Sequence, residues 1–329
     1  MIPYSILDLA PIAAGSSVAE ALNQVLDLAR HAEALGYRRY WIAEHHNQAS
    51  AASAATAVVI GHVAAGTRKI RVGSGAILLP NHAPLAIAEQ FGTLESLFPG
   101  RIDLGLGRAP GGDPATLRAL RRAMGVNERF AQEIKELREY FRPMDAAGGV
   151  RAIPGVGLGI PMFLMGSSDY SSRLAAELGM PYAFASHCAP DYLKTALMHY
   201  RRYFRNVEGN QKPWVIVVVN VIAAETDEKA RRLFTSLQQH FLAILRKQGE
   251  AIQPPVAEMA ALWSPAEELQ IQRMTRGSLV GSAQTIRVAV ETFIAETRVD
   301  EIMATSQIYD PAARLKSVGI FAEVMESLG

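Results

Sequence analysis

Glu44-His45-His46 directly follows a short apolar run, Tyr40-Trp-Ile-Ala43. Imidazole titrates closest to neutral pH, so this triplet suits proton transfer or hydrogen bonding to a substrate oxygen. Metal binding is the competing use. Adjacent residues at a strand end point to opposite sides, and no His-x-His or His-Glu-x-x-His accompanies the pair, which disfavours a metal. A structural histidine with its bonds already satisfied is the plain alternative. The histidines at 31, 62, 82, 199 and 240 have no partner motif, and His82 is expected to serve loop structure.

A second candidate is Gly166-Ser167-Ser168 ahead of a helix that starts near Asp169. It combines hydroxyls, backbone N–H groups and a helix N-terminus, which together can cradle a phosphate. Ordinary N-capping by Ser168 or Asp169 explains the same residues. Arg108 can supply the positive charge that a phosphate wants. Arg118, Arg121 and Arg122 sit at helical spacing and read as a solvated face. Gly105-Leu-Gly107-Arg-Ala-Pro110 begins like a dinucleotide fingerprint but has Pro110 at the last glycine position, and Gly111-Gly112-Asp113-Pro114 is turn-like. No Gly-Lys-Ser/Thr phosphate loop is present. A glycine-rich strand end that lets a ligand approach closely fits better.

The elements that must position these groups alternate along the chain. Apolar runs start at Tyr4, Tyr40, Ile70, Arg101, Pro161, Tyr182, Trp214 and Glu301, and helical patterns separate them. Ser17 and Glu20 have capping-box spacing before a helix that Gly36 ends. Further helices are expected over roughly Ala51 to Ala65, from Pro84 to Pro99-Gly100, over Arg129 to Phe141 and after Asp310-Pro311. Eight short strands with intervening helices predict a closed (β/α)8 barrel, one domain over residues 1–329. The stretch 225–276 is too long for one crossover helix and reads as an insertion after strand seven. In such a barrel the chemistry sits at the carboxyl ends of the strands, which adds Asp8, Ser74-Gly75, Ser186-His187 and Ser306-Gln307 to the candidates.

Composition sets the outer bounds. The 329 residues are 49% apolar and 20% charged, ample for a core. The charges, 33 basic and 32 acidic, nearly cancel at +1, so no global field favours nucleic acid or an anionic membrane. The most apolar run, Trp214 to Ala224, is interrupted by Asn220 and is far shorter than the ~20 residues of a membrane helix. Residues 1–17 lack the basic start of a secretory signal. Cys188 stands alone, which excludes an intrachain disulfide and fits a reducing cytoplasm.

Several of these segments together resemble the bacterial-luciferase-like flavin-dependent monooxygenases, in their single-chain alkanal-monooxygenase-like branch. The match is carried by Trp41-Ile-Ala-Glu-His-His-Asn47, by Leu79-Pro80 with Ala83-Pro84 and Ala88-Glu89-Gln90, and by Gly100-Arg-Ile-Asp-Leu-Gly-Leu-Gly-Arg108. Val280-Gly281-Ser282 and Val299-Asp-Glu-Ile-Met303 look like the family's C-terminal module. The resemblance spans most of the chain and is weakest over 225–276.

It implies a barrel that binds FMN, with reduced flavin supplied by a separate reductase, O2 reacting at the C4a carbon, and the resulting C4a-peroxyflavin oxygenating an aldehyde-like or other carbonyl substrate. By resemblance His45 is the catalytic histidine and His46 its neighbour, with Glu44 or His46 orienting it. Ser74-Gly75 falls where the family bends its backbone against the isoalloxazine, often through a non-proline cis peptide. Arg108 matches a flavin-phosphate arginine, and Gly166, Ser167, Ser168 and Tyr170 match the phosphate loop. Gly107 replaces the reactive cysteine of luciferase itself, and Cys188, remote along the chain, reads as a buried small hydrophobe. The insertion is the natural lid. A homodimer through the alanine-rich helix after residue 51 is expected, without metal. The alternatives are a hydride-transferring oxidoreductase of the same superfamily using F420 or NAD(P)H, and a flavin-binding protein without turnover.

Overall fold

The computed structural model describes residues 2–109, 113–122, 126–143, 149–207 and 212–329. The turn expected at Pro110, Gly111 and Gly112 lies outside the described residues. The strands are β1 (Tyr4–Asp8), β2 (Arg39–Ile42), β3 (Arg71–Leu78), β4 (Ile102–Gly107), β5 (Met162–Gly166), β6 (Tyr182–Phe184), β7 (Val215–Ala223), β8 (Leu279–Gly281) and β9 (Glu301–Thr305). β1 to β7 are neighbours in chain order, and β9 pairs with both β7 and β1, which closes an eight-strand barrel. Every described ladder is parallel. The expected (β/α)8 architecture is therefore the one observed.

β8 is the strand that periodicity missed, because three residues carry no pattern. It exists because β7 is long. Val215 to Asn220 pair with β6 or β9 within the barrel wall, and Val221 to Ala223 run on to pair with Leu279 to Gly281.

The helices are α1 (Val18–Ala34), α2 (Thr56–Gly66), α3 (Pro84–Leu97), α4 (Pro114–Ala119), α5 (Phe130–Phe141), α6 (Asp169–Glu177), α7 (Leu193–Tyr203), α8 (Asp227–Leu245), α9 (Pro265–Thr275), α10 (Ala283–Thr297) and α11 (Pro311–Ser327). Both bonds of the Ser17–Glu20 capping box form. α2 begins five residues later than Ala51 because that stretch is held elsewhere. Ala51 bridges to Pro11, and Ala52 N–H donates to the Ala10 carbonyl. α4 is short and ends at Ala119, so Arg118, Arg121 and Arg122 do not share the one helical face that their spacing predicts. Asp113 caps it through the N–H groups of Ala115 and Thr116. Among the described residues, no helix is long and apolar enough to cross a membrane.

Two apolar layers hold the barrel. Leu7, Trp41, Phe163, Ile216, Val218 and Met303 pack inside it, and alternate residues of the same strands pack outward against the helices. Burial on both faces explains why the strands are nearly continuous apolar runs. At the amino end the interior is ionic. Arg39 donates to Asp103 Oδ2 and to Glu301 Oε1, each at 2.7 Å, and Arg71 donates to Asp103 Oδ1. This closes the barrel floor and leaves the carboxyl end for chemistry.

Candidate active site

Alternation along the strands decides which residues reach the mouth. On β2, Trp41 and Ala43 belong to the inner cluster, so His45 is the next inward position, and Ala183 and Ala185 lead in the same way to His187. Both imidazoles line a cavity of about 450 Å³ at the carboxyl ends, with Gly75, Ala76, Gly107 and Arg108 on β3–β4 and Gly166, Ser167 and Ser168 after β5. That volume lies in the range of small-molecule sites, roughly 300–1,000 Å³. His45 Nδ1 and His187 Nδ1 are buried without a hydrogen-bond partner among the described residues.

Glu44 also lines the cavity, but its carboxylate is taken up by neighbours that include His46. Glu44 Oε1 accepts from His46 Nε2 at 2.6 Å and His82 Nε2 at 2.9 Å, and Oε2 accepts from Leu78 N–H at 2.9 Å. Burial alone would raise the Glu44 carboxyl, but the bonds from His82, Leu78 and His46 outweigh it and hold it below its ordinary value. Neither Glu44 nor His46 hydrogen-bonds His45. Together with His82 they tie the β2 and β3 ends, so that His45 is presented inward. His82 was correctly expected to serve loop structure, although its partner was not legible. Glu44 still acts on His45 through its charge. Burial lowers the His45 pKa, the Glu44 carboxylate opposes that, and His46 reinforces it.

The loop after β5 is built tightly. A Cβ on Gly166 would lie 2.5 Å from Ser171 Cβ and Oγ, so only glycine fits. Ser168 caps α6 by accepting from Ser171 N–H, and Ser171 returns a bond to Ser168 N–H. Ser171 Oγ is also 2.9 Å from the Tyr182 hydroxyl, which anchors the turn to β6. Capping and cradling thus coexist. Ser168 is committed to the helix, whereas Ser167 makes no side-chain bond among the described residues. Arg108 has no carboxylate partner there either, and its guanidinium stacks 4.1 Å above the Tyr170 ring. An unpaired arginine beside an open helix N-terminus suits a phosphate. Tyr170 does not itself line the cavity and acts through Arg108.

On β3, the register against β4 shifts between Ser74 and Ile77, and the Gly75–Ala76 peptide is cis. Gly75 is required by the barrel interior, since a Cβ there would meet Leu7 Cδ1 at 2.5 Å. Ser74 is not at the cavity. Its hydroxyl donates to the Gly105 carbonyl at 2.8 Å and is fully buried. Asp8 likewise turns outward, accepting from Ala10 N–H, Tyr40 and Arg314. Cys188 corrects another expectation. It is exposed and lines the cavity, because the carboxyl end of β6 opens on the same mouth as β4 despite its distance along the chain. Its thiol donates to the Ala185 carbonyl at 3.4 Å, and the surrounding protein raises its pKa.

The stretch 225–276 supplies α8 and α9, and the segment between them runs against the β1–α1 loop. Ile252 pairs with Ala13 in the β1–α1 loop, exchanging bonds with Ile12 and Ala14 at 2.8 Å, and Gln239 of α8 holds the Pro254 carbonyl. α8 also carries His240, 9% exposed and close enough for His45 to disfavour its protonation. Burial, reinforced by His45, pushes both His187 and His240 down to about 4. His187 stands among the strand-end candidates of the sequence, whereas His240 does not. His187 was noted only by position, and nothing in the spacing linked residue 240 to residue 45.

Their titration has a consequence for stability. Each imidazole has a folded pKa below its unfolded value, so the unfolded chain binds more protons below about pH 6.5. Stability is full above that pH and falls as pH drops toward 4, by about 2–3 kcal/mol per pH unit for two such groups. Urea midpoints at pH 7, 6 and 5 check this. A double variant, His187→Asn with His240→Asn, should flatten the slope, and an unchanged slope refutes the assignment.

Fold and cavity define a (β/α)8 protein with a small-molecule site at the carboxyl ends of its strands. The family model for luciferase-like monooxygenases matches residues 2–301, and the chain belongs to that family. A luciferase-like monooxygenase of Escherichia coli (strain K12) is 50% identical over 328 residues, covering 99% of this chain and 98% of its own. The crystal structure of apo-MsnO8 superposes with a TM-score of 0.86 at 30% identity, covering 99% of both chains. The oxygenating constituent of 3,6-diketocamphane monooxygenase from Pseudomonas putida, solved in complex with FMN, has the same fold, with a TM-score of 0.76 at 20% identity over 98% of this chain and 97% of its own. Family membership and these monooxygenase neighbours support an oxidoreductase.

Proposed function

We propose that the protein is a monooxygenase that uses reduced FMN, delivered by a separate reductase, and O2 to oxygenate a small organic substrate of aldehyde or ketone type. The observation that carries this reading is one cavity with two unlike rims. Arg108 and the Gly166-Ser167-Ser168 turn line one part of it, with no carboxylate paired to them among the described residues, and His45, whose Nδ1 is unbonded among those residues, lines another. When bound, reduced FMN supplies two electrons, so that one oxygen atom of O2 enters the substrate and the other leaves as water. Arg108 and the α6 N-terminus would hold the phosphate, Gly75, Ala76 and Gly107 would lie against the ring system, and His45 would donate or accept the proton at Nδ1. Residues 225–276 act as a lid that excludes water, a role supported by the strap at Ile252.

Anaerobic titration with reduced FMN, followed by mixing with oxygenated buffer, tests the reading. A transient near-ultraviolet band before oxidised flavin returns, with oxygenated product from added aldehydes or ketones, is the expected result. Direct return without product favours the F420- or NAD(P)H-type hydride transfer or a protein without turnover, and failure to bind FMN overturns the reading. Arg108→Ala should weaken FMN binding by about 1.5–3 kcal/mol, roughly ten- to hundredfold, while riboflavin, which lacks the phosphate, binds as before. Equal losses for both ligands would remove Arg108 from the phosphate site.

A homodimer is part of the same proposal. It is supported by α2 and α3, where Val58 is 72% and Leu97 65% exposed beside a groove lined by Ala54, Ala57 and Leu94. Sedimentation at micromolar concentration should give twice the chain mass, and a monomer refutes it. The free Cys188 supports a cytoplasmic setting.

A further inference from the structure

His45 and His187 stand on opposite sides of the mouth. Each lies three residues beyond the end of its strand, His45 after Ile42 and His187 after Phe184. β2 and β6 are four strands apart in a closed ring of eight, which puts them across the barrel from one another. Both imidazoles line the cavity of about 450 Å³, so a ligand held there lies between them. The proposed function gives His45 a task and leaves His187 without one.

The His187 ring is anchored and unengaged. Asn220 Nδ2 on β7 donates to the His187 backbone carbonyl at 2.8 Å, which holds the strand end that carries the ring. The side chain makes no hydrogen bond among the described residues, and of its two nitrogens only Nδ1 is sealed from open space. Nε2 is therefore the nitrogen that reaches the cavity. A neutral imidazole carries one proton, on one nitrogen or the other. On Nδ1 it would be a buried N–H without an acceptor, which folded proteins avoid. On Nε2 it points at the ligand. Burial, reinforced by His45, brings the His187 pKa down to about 4, so the ring is neutral at physiological pH.

The other side-chain donors near it are committed. Cys188 gives its thiol to the Ala185 carbonyl, and Ser168 and Ser171 are bonded into the start of α6. Arg108 and Ser167 belong to the phosphate in the proposed function.

We propose that His187 is a second catalytic residue, a neutral donor whose Nε2–H bonds the carbonyl oxygen of the substrate from the side opposite His45. This rests on the proposed function, in which a carbonyl compound is the substrate, and deepens it by naming the group that orients and polarises that carbonyl. As negative charge grows on the oxygen during attack at the carbonyl carbon, the bond strengthens, and the proton stays on the ring. A hydrocarbon of the same shape offers this donor nothing.

Cyclohexanone is the probe, titrated into FMN-loaded protein by flavin absorbance and into flavin-free protein by ligand-observed NMR. FMN binding is measured first by fluorescence quenching, so loss of the flavin reading shows there, while the flavin-free titration still tests His187. The infrared carbonyl band of the bound ketone is isolated by difference between isotopically labelled and unlabelled ketone. It should lie at lower frequency in the wild type than in His187→Leu, which removes the donor. His187→Gln, which keeps an N–H donor, should restore part of that displacement. The affinity of His187→Leu for the ketone should fall by no more than about tenfold, one hydrogen bond between neutral groups. Its kcat on aldehydes or ketones that the wild type oxygenates should fall about 10²–10³-fold, the span of one lost donor to a developing oxyanion. If His187→Leu does not fold, His187→Phe, which keeps a ring without a donor, takes its place. An unchanged carbonyl band, no saturable binding of the ketone, or a kcat within roughly threefold of the wild type overturns the proposal.

Discussion

Replacing His45 by alanine is expected to lower product formation about 10²–10⁴-fold, the span that a positioned acid–base group contributes, while FMN affinity stays unchanged. The imidazole lines the same cavity as Arg108, and its Nδ1 has no partner among the described residues. The variant should still oxidise reduced FMN, so the quantity to measure is product formed per flavin oxidised. Because burial lowers the His45 pKa, the neutral ring persists below the ordinary imidazole value, and the wild-type rate should hold its plateau to the acid side of about pH 6.5. Equal coupling in the two proteins would take His45 out of the reaction.

Arg39→Met is expected to cost about 3–5 kcal/mol of stability, the usual result of removing one partner from a buried ion pair. Arg39 is 3% exposed and bridges Asp103 and Glu301, both fully buried. Methionine matches much of its length, so the loss comes mainly from two carboxylates deprived of their cation, not from a cavity. Arg71 still reaches Asp103, but Glu301 keeps only the hydroxyl of Ser5 and a 3.8 Å contact with the half-exposed Arg38. Urea unfolding at pH 7 measures the change. A loss under about 1 kcal/mol, the scale of a surface pair, would mean that the floor is far better solvated than its burial indicates. The network sits at the opposite end of the barrel from the cavity, so the folded fraction should keep its FMN affinity.

Much of the fold was legible because its signals are local. Capping residues, proline starts and apolar runs depend on a few neighbours, and Ser17, Pro84 and Asp310 each begin a helix where the pattern placed one. The candidate site was legible to the extent that strand ends are legible. Once eight strands are placed, His45, Arg108 and the Gly166 turn fall at one mouth. What escaped were groups brought together by closure. Arg39, Asp103 and Glu301 lie in the first two positions of three different strands and look like ordinary surface charges until the barrel turns them into its floor. Glu44 and His46 sit beside His45 in the chain, yet the two-residue alternation sends His45 inward, and the Glu44 carboxylate meets His82 instead. Cys188 and His187 are remote from Gly107 in sequence and share its cavity.

Asn220 shows the division most plainly. In the chain it is a polar break in a valine run, and nothing about its neighbours marks it. The sequence determined the strands, their order and the helices between them, since backbone preference and burial pattern act over short range. Tertiary structure alone decided which alternate residues face the axis, and which polar atoms are left there without partners. Those outcomes depend on the closure and register of the whole barrel, and no local segment contains them.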